Sequence, residues 1–173
     1  MATLHFICGK AASGKTTLAR KLAVEHGAVL FIEDEWVTML EIERSIFDVI
    51  EYARHTQRLR AVLAPLAVQI LKLDTPIVFD FAGNTVKSRD WVRSIFEAAE
   101  ADHLLHVISA TDEGCKARLR QRNELKPEGL YYGEVSEAVF DEVTRYFVPP
   151  SEQEGFRVVS YDADRPEGSA NAD

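Results

Sequence analysis

Leu4-His5-Phe6-Ile7-Cys8-Gly9-Lys10-Ala11-Ala12-Ser13-Gly14-Lys15-Thr16-Thr17-Leu18 is the stretch on which the fold turns. An apolar run leads into Gly9-x-x-x-x-Gly14-Lys15-Thr16, and a helical pattern with Leu18, Leu22 and Ala23 on one face follows. That order of strand, glycine loop and helix is the context in which G-x-x-x-x-G-K-[ST] binds phosphate. Glycines let backbone N–H groups turn inward, and the helix N-terminus adds partial positive charge. The pattern assigns the phosphates of a nucleoside triphosphate to Gly9, Ala11, Ala12, Ser13, Gly14, Lys15, Thr16 and Thr17. Lys15 would reach the β- and γ-phosphates as a catalytic charge, and the Thr16 hydroxyl would bind Mg²⁺.

Outward from this loop, strands and helices alternate. Helix 1 is expected over 14–26, with Gly27 as its stop. Residues 28–32 read as a strand that ends in Glu33-Asp34-Glu35. Helical periodicity passes through Trp36, Met39, Leu40 and Ile42, then runs from Ile46 to Leu73, with Pro65 expected to start a segment or kink it. Further strands are expected at 76–81, 103–108 and 156–161, and helices at 87–100, from Asp112 as cap to about 123, and at 136–147. Such alternation predicts an α/β fold of the P-loop NTPase type: five parallel strands sandwiched by helices, with a small lid at about 118–133. One domain over 1–161 and a tail without regular structure over 162–173 complete the expected organisation.

Composition narrows the function. The chain has 173 residues, 46% of them hydrophobic, and a formal charge of −8 from 28 acidic and 20 basic residues. A surface that negative disfavours a nucleic-acid partner. No apolar run approaches the ~18 residues of a membrane span, and a cytoplasmic setting is expected, with Cys8 and Cys115 as free thiols. The five histidines show no metal-ligand spacing, so no metal beyond Mg²⁺ is expected.

Ligands of parallel sheets sit beyond the carboxyl ends of the strands, which brings the glycine loop, Glu33-Asp34-Glu35 and Asp80 together. Asp34 is the expected catalytic base for an acceptor hydroxyl, with Glu33 and Glu35 as alternatives. Asp80 closes an apolar strand and would join Thr16 at Mg²⁺. Asn84 and Arg89 are weaker candidates for acceptor contacts, and Arg89 reads equally as a surface helix residue. Arg118 and Arg122, four apart beside a Pro/Gly loop containing Lys126, would close over the nucleotide as catalytic and binding cations. The acceptor would lie against residues 36–73, where Trp36, Met39, Phe47, Tyr52 and His55 are pocket or core. Asp80-Phe81-Ala82-Gly83 fits the D-x-x-G of GTPases, but no N-K-x-D run accompanies it. A ring ATPase needs a longer module.

These residues together resemble the small P-loop kinases that group polynucleotide 5′-kinase, chloramphenicol phosphotransferase and the zeta-toxin sugar-nucleotide kinases. The resemblance runs from Gly9–Thr16 through Asp34 and Asp80 to Arg118-Leu119-Arg120-Gln121-Arg122-Asn123. It is strongest to bacterial ATP-binding kinase-like proteins with a pattern like Asp80-Phe81-Ala82-Gly83-Asn84-Thr85, Phe140-Asp141-Glu142 and Pro149-Pro150. It implies an ATP- and Mg²⁺-dependent phosphotransferase acting on an alcohol of a small molecule, with Asp34 as base and Arg118 and Arg122 on phosphate. Polynucleotide kinases carry an arginine soon after the base, where this chain has Trp36-Val37, a departure that speaks against a nucleic-acid acceptor.

Overall fold

The computed structural model describes residues 1–40 and 49–165, with side chains described up to 40 and again from 54. Ile42, Ile46, Phe47, the Tyr52 side chain and 166–173 lie outside what is described.

Five parallel strands form one sheet in the order β2-β3-β1-β4-β5. They are β1 (Thr3–Cys8), β2 (Val29–Ile32), β3 (Ile77–Ala82), β4 (Asp102–Ser109) and β5 (Val158–Asp162). The helices are α1 (Lys15–His26), α2 (Glu33–Met39), α3 (Val49–Lys72), α4 (Val86–Ala99), α5 (Asp112–Leu125) and α6 (Glu137–Thr144). β1 lies at the centre and is buried on both faces, so it reads as a nearly unbroken apolar run. Its side chains divide by parity. Leu4, Phe6 and Cys8 join Leu63 and Ala67 of α3 and Val92, Ile95 and Phe96 of α4 in the larger core. Ile7 turns to the other face, with Ala19 and Leu22 of α1, Val78 and Ile108. A third cluster, Cys115, Leu119 and Phe140, seats α5 and α6 against Ala11 and Ala12 of the glycine loop.

The helix ends follow from local chemistry. Gly27, at φ 59°, closes α1 while the Gly27 and Ala28 N–H groups donate to Val24 and Ala23. Thr85 and Ser88 form a reciprocal cap on α4. Thr111, not Asp112, caps α5, because its hydroxyl accepts from the Gly114 N–H while Asp112 is already the first helical residue. α3 passes through Pro65 rather than starting there. The ring sits on an exposed turn, where water can satisfy the Ala61 carbonyl that lacks its usual donor. The last strand reaches Asp162, and order continues beyond it: the Ala163 N–H donates to Ser109 O, and the Asp164 carboxylate accepts from the Thr111 N–H at 2.6 Å.

β3 changes register beside β1. Phe6 pairs Phe79 but Ile7 pairs Ala82, so Asp80 and Phe81 fall at an irregularity. Such bulges re-aim side chains next to active sites. Here Asp80 turns to the α1 side, two residues on from Val78.

Candidate active site

The glycine loop is a ring of backbone donors drawn tight by its own sequence. Ala12 (φ 55°) and Gly14 (φ 103°) take left-handed conformations, and the Ser13 N–H bonds Lys10 O at 3.2 Å. Alternating right- and left-handed residues make an anion-binding concavity. At Gly9 a Cβ would stand 2.6 Å from Ser13 Oγ and 3.2 Å from Ile108 O, so no other residue fits there without displacement. The Gly9 N–H donates to Asn84 Oδ1 at 2.9 Å, and Asn84 O accepts from Val148 N–H. Asn84 thus braces the loop from the start of the β3–α4 turn. Ser13 Oγ is buried with no hydrogen-bond partner among the described residues, and Lys15 Nζ donates to Gly9 O (2.9 Å) and Lys10 O (2.7 Å). A phosphate chain matches that donor set.

Thr16 and Asp80 meet directly: Thr16 Oγ1 donates to Asp80 Oδ2 at 2.6 Å. Burial raises the Asp80 carboxyl above its ordinary value, while the Thr16 hydroxyl and the Lys15 ammonium work against that rise. Burial lowers Lys15, and the Asp80 and Asp34 charges oppose the shift. A hydroxyl and a carboxylate oxygen side by side at a helix start are hard donors of the kind Mg²⁺ takes. Thr17 is exposed on the first turn of α1. Among the described residues no group of three or more His, Cys, Asp or Glu could hold a metal by itself.

β2 pairs β3 so that Ile32 lies level with Asp80, and α2 starts at the next residue. Its first turn is Glu33, Asp34 and Glu35, three carboxylates where the helix dipole favours them. Their surroundings separate them. Glu33 is buried and taken by Arg60, whose Nε and Nη2 donate to Oε1 (2.7 Å) and Oε2 (2.9 Å). Burial raises the Glu33 carboxyl, and Arg60 holds it down. Asp34 is half-buried and close enough for its charge to bear on Lys15, Asp80 and Glu33. Glu35 faces a cavity of about 570 Å³, lined also by Arg20, Thr38, Met39, Glu128 and Tyr132.

The predicted lid arginine Arg118 reaches the loop itself, its Nε donating to Ala12 O at 2.9 Å and its guanidinium pairing Asp164 at 3.3 Å. Arg122 lies one turn on, half-buried. Lys116 and Arg120 turn the other way, to Asp141 and Glu137 of α6. The loop after α5 begins at Lys126 (φ 45°) and is tied to α1, since Arg20 Nη2 donates to Gly129 O at 3.0 Å.

Two sequence expectations need correction. Arg89 is fully buried, neither an acceptor contact nor a surface residue. Its Nε and Nη2 donate to Glu154 at 2.6 and 2.8 Å, and Nη1 donates to Gly83 O and Val148 O. The histidines are not all incidental either. His5 Nδ1 and His106 Nε2 lie 3.0 Å apart, His106 Nδ1 meets the Tyr161 hydroxyl at 2.9 Å, and His26 stacks on His5. Trp36, Met39 and His55 line an apolar groove of about 630 Å³ between α2 and α3, and Trp36 also packs against Phe31 of the larger core. No described helix is long and apolar enough to cross a membrane.

Comparison with known proteins agrees with this geometry. A candidate kinase from Chloroflexus aurantiacus J-10-fl superposes with a TM-score of 0.73 at 19% identity, covering 98% of this chain and 89% of that one. Chaetomium thermophilum Kti12, solved with ADP-AlF3, gives 0.71 at 16% identity (95% and 91% covered). The Mycobacterium tuberculosis APS kinase CysC, solved with AMPPNP and APS, gives 0.55 at 17% identity (95% and 90%). Comparison with curated protein sequences finds no match. The family model AAA_33, described as an AAA domain, matches residues 4–150. With a glycine loop between β1 and α1, the chain has the fold of these P-loop proteins and belongs to the AAA_33 family of AAA domains.

Proposed function

We propose that this protein is an ATP-dependent phosphotransferase that moves the γ-phosphoryl group of ATP to a hydroxyl of a small molecule. The observation that carries the reading is the gathering, at one sheet edge, of Lys15, the Thr16–Asp80 contact and Asp34. Phosphoryl transfer asks a protein for positioning and charge rather than covalent chemistry, and these groups match its recurring parts. Gly9 through Thr17 bind the phosphates. Lys15 exchanges its two loop carbonyls for the β- and γ-phosphates. Thr16 and Asp80 hold Mg²⁺, which when bound neutralises phosphate charge. Asp34 accepts the proton of the acceptor hydroxyl and aims its oxygen at the γ-phosphorus. Arg118 and Arg122 bring positive charge to the nucleotide from α5, and the segment 118–133 serves as the lid. The acceptor occupies the cavity of about 570 Å³ that is lined by Glu35, the residue after Asp34. The net charge of −8 argues against a nucleic-acid acceptor, and the two free cysteines fit a cytoplasmic setting.

The test is transfer from γ-labelled ATP with Mg²⁺ to pooled hydroxyl metabolites, nucleosides and aminoglycosides, run beside Lys15→Ala. Label should appear on a small molecule with the wild-type chain and fall by about 10² or more with the variant. ATP turnover that yields only inorganic phosphate across the panel points to a hydrolase. Transfer indifferent to Lys15→Ala removes the assignment of the site.

A further inference from the structure

Asp34 stands on a corner, where β2 ends at Ile32 and α2 begins at Glu33. Glu33 is the first residue of α2, so whatever fixes Glu33 fixes how the first turn of that helix, Asp34 with it, leaves the sheet. The structure supplies a clamp from α3. Arg60 Nε and Nη2 grip Glu33 Oε1 and Oε2 at 2.7 and 2.9 Å, and the two side chains are only 20% and 10% exposed. Two parallel N–H···O bonds fix the plane of a carboxylate, which one bond does not. The guanidinium itself packs against a pair of touching aromatic rings, 5.3 Å from the centre of Trp91 and 5.7 Å from Phe81. Trp91 stacks on Phe79, and Phe79 and Phe81 flank Asp80 on β3. One joint therefore ties α3, α4 and β3 to the residue before Asp34, on the strand pair that also presents Asp80.

We propose that Arg60 is a positioning residue for phosphoryl transfer: by clamping Glu33 it sets the orientation of Asp34, although neither Arg60 nor Glu33 touches substrate. The inference rests on the reading of Asp34 as the base. Misplacing a reacting group by about 1 Å costs on the order of 10²-fold in rate, so a joint of this kind governs turnover without governing nucleotide affinity. Its bidentate engagement with Glu33 makes Arg60 a brace of the protein's own carboxylate rather than a binder of an anionic acceptor.

A buried ion pair also stabilises structure locally, and the experiment must separate the two roles. Replacing both partners by apolar residues of similar volume generally preserves stability, whereas removing one strands the other. The full-length chain is compared with Arg60→Met, Glu33→Met/Arg60→Met and Arg60→Lys, reading thermal midpoint, Mg·ATP affinity by calorimetry, and kcat and KM for ATP turnover. Arg60→Met should lose both midpoint and rate. The double variant should regain a midpoint within a few degrees of wild type and an ATP Kd within about twofold, yet keep kcat lower by ~10-fold or more. Arg60→Lys keeps the charge but not the fork, so it should also lower kcat several-fold at unchanged ATP affinity. If the double variant misfolds, the lysine variant decides alone. A wild-type kcat in Arg60→Lys, or in a double variant with a restored midpoint, overturns the proposal. Turnover indifferent to Lys15→Ala and Asp34→Asn would instead defeat the underlying kinase reading.

Discussion

Two arginine–glutamate joints of the same chemistry sit in different parts of this molecule. Arg60–Glu33 lies at the edge of the candidate site, one residue from Asp34. Arg89–Glu154 lies on the α4 side, where Arg89 is 0% exposed and also donates to Gly83 O and Val148 O. Both are bidentate and largely out of water. What differs is what the joint holds. Arg89 fastens the segment around Val148 and Glu154 to the β3–α4 turn, joining parts 59 and 65 residues apart with every bond spent on packing the chain. Arg60 fastens a corner whose next residue is a half-buried carboxylate facing the glycine loop. The same pair is a fold element in one place and, on our proposal, a positioning device in the other. Inspecting the pair alone does not separate them; inspecting its neighbours does.

That contrast breaks most visibly at Asp34. Asp34→Asn preserves shape while removing proton acceptance, so transfer should fall by ~10² to 10⁴ with ATP affinity and thermal midpoint near wild type. Full activity in this variant, with Glu33→Gln or Asp80→Asn inactive, would move the base to another carboxylate of the same edge. The reverse pattern is expected at the other joint. Arg89→Met strands Glu154 and the Gly83 and Val148 carbonyls, and should cost about 3–5 kcal/mol in urea unfolding while the folded fraction turns over normally. A rate loss larger than the unfolded fraction explains would erase the distinction between the two joints.

A third polar cluster sharpens the comparison through pH. Burial holds His5 and His106 at pKa values of about 4, so both are neutral in the folded chain at neutral pH. The unfolded chain takes up these protons near 6.5. At these two rings it therefore binds more protons than the folded chain between 6.5 and about 4, so they make stability fall as pH drops through that window, while the raised Glu33 and Asp80 carboxyls act in the opposite direction. Glu154 behaves separately: the Arg89 hydrogen bonds lower its carboxyl, so its contribution is full above the ordinary glutamate range and declines only in stronger acid. His106→Gln should therefore make the urea midpoint less sensitive to acid between pH 6.5 and 4.5 than it is in the wild-type chain, one of the lowered rings being removed. Identical pH profiles in the two chains would mean that the rings are solvated.

The smallest effect is expected at Asp164. Its pairing with Arg118 is exposed enough that Asp164→Asn should leave the thermal midpoint nearly unchanged. Any change in ATP affinity in that variant would show that Arg118 is shared between Asp164 and the nucleotide.

The sheet and the loop were legible because their signals are local. Glycines and lysine at fixed spacing announce the loop, Gly27 announces the end of α1, and the parallel sheet brings Asp34 and Asp80 to the loop because one follows β2 in the first turn of α2 and the other lies in the last half of β3. What escaped was non-local. Arg89 sits among Lys87, Asp90 and Arg93, a pattern that reads as a wet helix face, while its partner lies 65 residues downstream. His5 and His106 are 101 residues apart. A signal existed for them: each interrupts an apolar strand, His5 between Leu4 and Phe6, His106 between Leu105 and Val107. A polar ring in a strand buried on both faces requires a partner. Asp164 lay in a stretch of small and acidic residues that composition alone assigns to a loose tail.

The contact from Arg118 to Ala12 has a consequence for how the protein is made. The glycine loop is encoded within the first 16 residues, but its neighbours arrive late: Asn84 braces Gly9, Arg118 braces Ala12, and Asp164 braces Arg118. β1 likewise waits for β3 and β4 on either side. During synthesis β1 stays unpaired until β3 and then β4 have left the ribosome, a period in which exposed strand edges invite aggregation. The most recognisable motif of this protein is translated before each of the residues that brace it.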